Sequence, residues 1–381
     1  MKARPLKLND VHFGRQWTDK VLDRWLYEDF QADPAWRTGW TSMDCCCYDD
    51  RDDRVYLGIT SFAADIFKAY DRHSGAFADL GFDRVADGFD AKFHRSLVKG
   101  PDGCIYGAIA LLHDVDRYLE APGGSIVRYD PRSGSIQKLC TPLPHVYIQS
   151  IALDNRREVI YGQCFAPEHL VSLDLKTGRS TDHGLVGTGI AGMTQGENLC
   201  LDDDGCVWFN WSLTRAWQDA PGVDAARVGK LEPSRQRLTF LHEGLPRPDG
   251  SRGFVKAEAF FNFHDGLMYA SGANGSLYRL DPRTGRASYL FTPITDRPSR
   301  LASMALGPDG CAYGVTGRAG NCQVLRFDFP HTRYELIGQV EGDGETCWQV
   351  HDVCFAPDGT LYACENDNPS RSGYLWEIVL S

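Results

Sequence analysis

Short apolar and aromatic runs, each following a tight polar turn, recur along the whole chain. They are Val55-Tyr56-Leu57, Cys104-Ile105-Tyr106, Val159-Ile160-Tyr161, Cys206-Val207-Trp208, Leu267-Met268-Tyr269, Cys311-Ala312-Tyr313 and Thr360-Leu361-Tyr362. The preceding turn is most often Asp-Gly, as at Asp102-Gly103 and Asp309-Gly310. Runs this short, rich in aromatic and β-branched residues and bounded by turn residues, predict strands. Their spacing, roughly 44 to 61 residues, is that of propeller blades. A second turn lies between successive copies, as in Tyr129-Asp130-Pro131-Arg132-Ser133-Gly134 and Leu280-Asp281-Pro282-Arg283-Thr284-Gly285. Asp, Pro and Gly at fixed offsets make it a hairpin turn between two further strands. Each unit therefore holds four strands, A to D, with turns joining A to B and C to D.

The two turn types do not balance. About seven A–B turns stand against six C–D turns, because the last unit ends at Gly373-Tyr374-Leu375-Trp376-Glu377-Ile378-Val379. A propeller must cover every blade edge, so the missing outer strand is expected from the N-terminal segment, within residues 5–30. The fold class that follows is all-β: a seven-bladed β-propeller of four-stranded antiparallel blades in one domain, 1–381. The blades fall at about 38–80, 92–141, 145–184, 194–242, 255–291, 298–340 and 347–381. One short helix is predicted, over Lys20 to Tyr27.

Composition narrows the function. A formal net charge of −11 argues against a nucleic-acid surface. No window approaches a membrane span, and the first residues, MKARPLKLNDVHFGRQW, have no apolar core of a signal peptide. The thirteen cysteines are odd in number and scattered, with Cys45-Cys46-Cys47 consecutive, which suits small core residues in a reducing cytoplasm. Gly187-Thr188-Gly189-Ile190-Ala191-Gly192 has the spacing of a dinucleotide loop, but no helical pattern follows it. There is no GxSxG and no HExxH.

Candidate chemistry collects on one face. In a propeller strand A lines the channel, and the D–A and B–C loops share one end of it. The three longest B–C loops, Leu111 to Gly124, Trp211 to Gly229 and Glu365 to Gly373, all fall there, and such loops commonly carry function. A buried inner strand should begin with apolar residues, because unpaired polar groups cost free energy. Here the strand starts bring His94, Gln149, Gln195, Lys256, Arg300 and His351 toward one funnel mouth, with Gln349 and Tyr147 beside them. Rim residues that only bond neighbouring backbone would give part of the same pattern. His169 follows strand B of the third unit on this face. Trp211, Trp217 and Tyr118 add aromatic rings to the loops of this face. The stretch Asp90 to Asp114 reads as one hairpin around Pro101-Asp102-Gly103, which puts His94 and His113 side by side at its open end.

Lys92-Phe93-His94-Arg95-Ser96-Leu97, Gly100-Pro101-Asp102-Gly103-Cys104-Ile105-Tyr106 and Gly123-Gly124-Ser125-Ile126-Val127-Arg128-Tyr129-Asp130 resemble the seven-bladed β-propeller polysaccharide lyases. Ulvan lyases and rhamnosyl-glucuronate lyases are members; oligogalacturonate lyases are more distant. The resemblance implies two catalytic histidines flanking a hairpin, here His94 and His113, and a tyrosine on the next blade, here Tyr147. Gln163 stands where those enzymes carry an arginine. It also implies β-elimination at a uronate glycoside, which needs a base, an acid and a group that neutralises the carboxylate. His94 or Tyr147 would be the base and His113 or Tyr147 the acid. Lys256 or Arg300 would meet the carboxylate. Gln149, Gln163, His169, Gln195 and Trp211 would hold the rest of a small anionic carbohydrate. Two alternatives stay open: a glycoside or lactone hydrolase using a divalent ion (Ca, Mn or Zn) on His351, Gln349 and His94, and a propeller that only binds a sugar or protein.

Overall fold

The structure, a computed structural model, describes residues 1–13, 27–63, 65–165, 167–187, 198–212 and 226–380. Among these stand seven four-stranded antiparallel sheets, each ordered as its strands follow in sequence except the last. The innermost strands are Thr41–Asp49, Val98–Lys99, Tyr147–Asp154, Cys200–Leu201, Ala257–Phe261, Leu301–Leu306 and Val350–Phe355. Neighbouring blades touch through these strands around the ring, and the inner strand of the seventh blade packs on that of the first. The protein is a seven-bladed β-propeller. Among the described residues no helix is long and apolar enough to cross a membrane.

The seventh blade closes the ring. Its outer strand is Lys2–Leu6, paired antiparallel with Leu375–Val379 from Lys2 opposite Val379 to Leu6 opposite Leu375. The closure by the N-terminus is as expected, but it begins earlier than residues 5–30. The strand is five residues long, starts one residue into the chain and carries Pro5, which an outer edge strand tolerates because its N–H side faces away from the ladder. The expected helix over Lys20 to Tyr27 lies almost wholly outside the described residues. The helices that are seen, Tyr27–Ala32 and Pro34–Gly39, follow it, the second with Asp33 as N-cap accepting from Ala35 N at 3.0 Å.

The Asp-Gly repeat has a physical reason. In Asp102, Asp265 and Asp309 one carboxylate oxygen accepts the backbone N–H two residues on, at 3.0 to 3.1 Å. The other accepts the hydroxyl of the strand-B tyrosine four residues on, Tyr106, Tyr269 or Tyr313, at 2.7 to 3.0 Å. In blade 4 the indole of Trp208 takes the tyrosine's place, donating to Asp202 at 2.9 Å. The following glycine turns the chain at positive φ, +80° at Gly103 and +81° at Gly266. One acidic side chain thus fixes the turn and satisfies the polar tip of a ring buried between blades.

Blade 2 departs from the regular hairpin. Its inner ladder is only Val98–Lys99 against Ile105–Tyr106. Ahead of it, Lys92 bridges to Thr60 of the first blade and Phe93 to Ile109. The chain between breaks from the ladder, and Arg95 takes a left-handed φ of 31°. Arg95 reaches across the channel, donating to Glu258 Oε1 at 2.6 Å and to the Glu258 carbonyl at 3.3 Å.

Candidate functional site

The inner strands share a defect. Each of five carries extra residues that interrupt its pairing with strand B: at Asp44, Gln149, Glu258, the pair Ala302 and Ser303, and His351. A bulge bends its strand and re-aims the extra side chain. The break around His94 is its counterpart in blade 2. Asp44, His94, Gln149, Glu258 and His351 are all at most 5 % exposed. All but Asp44, which is bonded to His351, line a cavity of about 370 Å³ at the D–A and B–C end of the channel. Lys92, Ala273, Arg300, Arg318, Gln349 and Asp367 complete its lining.

Two imidazoles meet at its base. The rings of His94 and His351 lie 4.4 Å apart between centroids, edge to face at 87°. His94 Nδ1 is 2.9 Å from the Gln149 carbonyl. A carbonyl only accepts, so this nitrogen carries the proton and Nε2 presents its lone pair, with the Gln149 amide nitrogen 3.3 Å away. His351 Nδ1 lies 3.1 Å from Asp44 Oδ1. Asp44 is fully buried and bonded by Thr60 and, at 3.4 Å, Ser42. Burial, together with the charges of Lys92 and Arg95, lowers the pKa of His94 well below 6.5, and burial with its His94 neighbour does the same for His351. Burial raises the Asp44 carboxyl to about 7, against the pull of Lys92 and with the push of Asp367.

The cations divide into two kinds. Arg95 and Arg300 both hold Glu258 Oε1 at 2.6 Å, so each already has an anion. Lys92 and Arg318 also line the cavity, and no hydrogen bond or ion pair engages either side chain among the described residues.

The expected ring is therefore met by His94, Gln149, Arg300, Gln349 and His351. Other positions fall elsewhere. His113 does not adjoin His94. The ladder slips between Lys99 and Phe93, and the bridge of Phe93 to Ile109, carried onward, sets Phe89 opposite His113. Its ring instead faces Phe89 at 5.7 Å and Tyr147 at 5.4 Å, beside a separate and very small cavity. His113 Nδ1 lies 2.8 Å from the Asp114 carbonyl, while His113 Nε2 and the Tyr147 hydroxyl are buried with no hydrogen-bond partner among the described residues. Burial also raises the Tyr147 pKa well above 10. Gln163 lies deeper, donating to the Asn210 carbonyl at 3.4 Å. His169 pairs with Asp182 at 3.1 Å on the third strand of blade 3.

Trp211 gives its indole N–H to the carbonyls of Val228 and Leu241 and packs edge-on against Phe240, so its ring is a blade residue rather than a sugar platform. Tyr118 lies against the His145 ring at 5.7 Å. Lys256 is half-buried but not among the lining residues, because Glu258 two positions on takes the bulge. Gln195 and Trp217 lie outside the described residues. Asp44, Arg318 and Asp367 were not anticipated. An acidic residue inside the strand Thr41–Asp49, otherwise largely buried and apolar, was the available signal for Asp44.

Gln349 Oε1 is buried without a partner among the described residues and shares the cavity with both imidazoles, a donor set that suits a divalent ion. Among the described residues one other group of possible ligands gathers, Asp10, His12 and Glu345 near the closing strand. The Lys7 ammonium already lies 3.0 Å from Asp10 and 3.6 Å from Glu345.

The buried histidines set a pH dependence of stability. In the unfolded chain they titrate near 6.5, and in the fold well below it. The native state then binds fewer protons as pH falls under 6.5, so their contribution is complete above that value and is lost below it. Asp44 has the opposite sign: its pKa rises from 3.8 to about 7 on folding, so the fold takes up a proton between those values and gains stability as pH drops. Urea midpoints at pH 7.5 and 5.5 should therefore fall more steeply with acid in Asp44→Asn than in wild type. An equal or shallower fall would contradict the assignment.

No family model and no curated protein matches the chain. In fold it is similar to U3-55K, with a TM-score of 0.59 at 10 % identity over 90 % of this chain and 97 % of that one. It is also similar to the extracellular domain of the hybrid two-component system BT4673 of B. thetaiotaomicron, with a TM-score of 0.57 at 12 % identity over 96 % of this chain and 42 % of that one. The corresponding domain of BT3049 from the same organism gives 0.52 at 11 % identity, over 89 % of this chain and 39 % of that one. This chain thus spans less than half the length of those two domains, and at such identities the likeness is one of propeller architecture.

Proposed function

We propose that the central cavity catalyses β-elimination on a uronate-containing oligo- or polysaccharide. The observation that supports this best is the pair of buried, neutral imidazoles, each anchored through Nδ1, beneath a mouth with two uncommitted cations. His94 Nε2 takes the proton from the carbon next to the uronate carboxylate. Lys92 meets that carboxylate and stabilises the charge that develops on it. The bond from the adjacent carbon to the glycosidic oxygen breaks, and a carbon–carbon double bond forms. His351 gives its Nε2 proton to the leaving oxygen while its Nδ1 takes the proton of the Asp44 carboxyl, which at a pKa of about 7 is available near neutrality. In this reading the acid is His351 with Asp44, in place of His113 or Tyr147.

Incubation with galacturonate- and glucuronate-containing oligosaccharides is expected to yield an unsaturated product absorbing in the ultraviolet. No such product across a broad panel would sink the lyase reading.

The partnerless Gln349 Oε1 supports a second reading, in which His94, His351 and Gln349 hold a divalent ion that supplies Lewis-acid chemistry for hydrolysis. Metal analysis of purified protein, with activity before and after chelation, separates the two.

A further inference from the structure

The central cavity does not end at the channel mouth. It shares Ala273 and Arg318 with a second cavity of about 560 Å³ over blades 5 and 6. That one in turn shares Arg297, Pro298 and Arg318 with a third, of about 330 Å³, which reaches Trp348 at the start of blade 7. Arg318 lines all three. Its loop is built to hold it there. Gly317 takes φ +121°, where an added Cβ would meet the Asn321 carbonyl oxygen at 2.2 Å, and Ala319 and Gly320 follow at +54° and +78°. The loop is pinned on both sides, by Gly317 N to the Arg300 carbonyl at 3.0 Å and by Gly320 N to the Trp348 carbonyl at 3.2 Å. Arg297 is committed to Asp296 and Asn321, and Asp249 in the second cavity is turned onto Ser251. Arg318 is left exposed at the junction, with no partner for its guanidinium among the described residues.

The geometry points to a continuous groove that binds an acidic glycan longer than a disaccharide. Arg318 reads a carboxylate outside the reacting unit, and Trp348 gives an aromatic wall for a sugar further out. This rests on the anionic-glycan reading of the cavity and goes beyond it by naming chain length as what the protein selects. A guanidinium pairs with a carboxylate through two parallel N–H donors, and sugar faces pack on aromatic rings through their apolar C–H edges. The two contacts should respond differently to salt: the first weakens, the second does not.

The test compares di- and hexagalacturonate, and glucuronate-containing oligosaccharides of the same two lengths, by calorimetric titration of the full chain. Wild type is expected to bind the longer chain ~10-fold more tightly, about 1.4 kcal/mol. Arg318→Ala and Trp348→Ala are each expected to bring the ratio of long- to short-chain affinity toward one. Added salt should shrink the Arg318 effect alone. Arg318→Gln and Trp348→Phe, with melting curves for all variants, separate lost contacts from lost folding. Equal affinity for both lengths in wild type, or a ratio that neither variant moves, overturns the groove while the cavity reading stands. Absence of binding by any of the acidic oligosaccharides overturns the cavity reading, and the groove with it.

Discussion

Turnover of a uronate oligosaccharide is expected to fall ~10³-fold in His94→Asn, the scale of a lost general base, while the propeller stays folded. Asparagine is the informative replacement. Its amide nitrogen takes the place of Nδ1 and keeps the bond to the Gln149 carbonyl, which is 2.9 Å away in the native site. What it lacks is the basic Nε2. A truncation to alanine would also orphan that carbonyl and confuse chemistry with packing. The partner variant is Asp44→Asn. In wild type the proton for the leaving oxygen is drawn from a carboxyl at about 7, so activity should decline as pH rises through that value and the carboxyl empties. On the acid side His94 limits the rate only well below its ordinary 6.5, since burial depresses it. Asp44→Asn should lower turnover and erase the basic limb near 7. A pH profile with the limb intact in that variant would remove Asp44 from the relay, and near-wild-type turnover in His94→Asn would remove the base.

The blade count, the antiparallel order and the closure by the N-terminus follow from local patterns: Asp-Gly turns, tyrosines four residues later and one unmatched outer strand. The channel end of the site was legible because polar side chains at the starts of buried strands are costly without partners, and His94, Gln149, Gln349, Arg300 and His351 stand out for that reason. What the pattern could not convey is parity. Bulges at Asp44, Glu258 and His351 add residues to the ladder, so alternation no longer tells which side chain faces the channel. The pattern points to Lys256, whereas the bulge turns Glu258 to the cavity. The hairpin pattern sets His94 beside His113, whereas the observed register puts Phe89 there. Where the ladder breaks, Arg95 is held by an ion pair to a residue more than 160 positions away, which no local signal carries. Arg318 lies in a short loop of ordinary composition and acquires its place only from three positive-φ residues and two backbone bonds, one to the start of its own blade and one to the start of the next.

The largest loss of stability is expected from Glu365→Ala, ~3–5 kcal/mol, the range for breaking a buried ion pair by removing one partner. Glu365 is wholly buried at the head of the loop from Glu365 to Gly373. Its Oε1 accepts from Trp348 N at 2.8 Å and from Asn368 Nδ2 and Arg371 Nη2 at 3.0 Å. Its Oε2 accepts from Arg371 Nη1 at 3.0 Å and from Tyr374 N and Trp376 Nε1 at 3.1 Å. Six donors converge on one carboxylate, and Arg371, itself 3 % exposed, is sandwiched against the Tyr374 ring. Alanine would strand those donors and leave the guanidinium with only Glu345 as a charged partner, at 3.0 Å. Glutamine fills the space but turns an NH₂ toward three donors, so Glu365→Gln should lose most of the same stability. The same loop ties the last blade to the first, with Gly373 N to the Thr41 carbonyl at 2.7 Å and Asp367 N to Ser42 Oγ at 3.0 Å. It also delivers Asp367 to the cavity. Loosening it should therefore open the ring at its closing seam and disturb the site at once. Urea unfolding should show the lower midpoint in both variants, and any residual activity should decay with temperature ahead of wild type. A change under ~1 kcal/mol, the scale of an exposed pair, would mean that the carboxylate is dispensable to the closure.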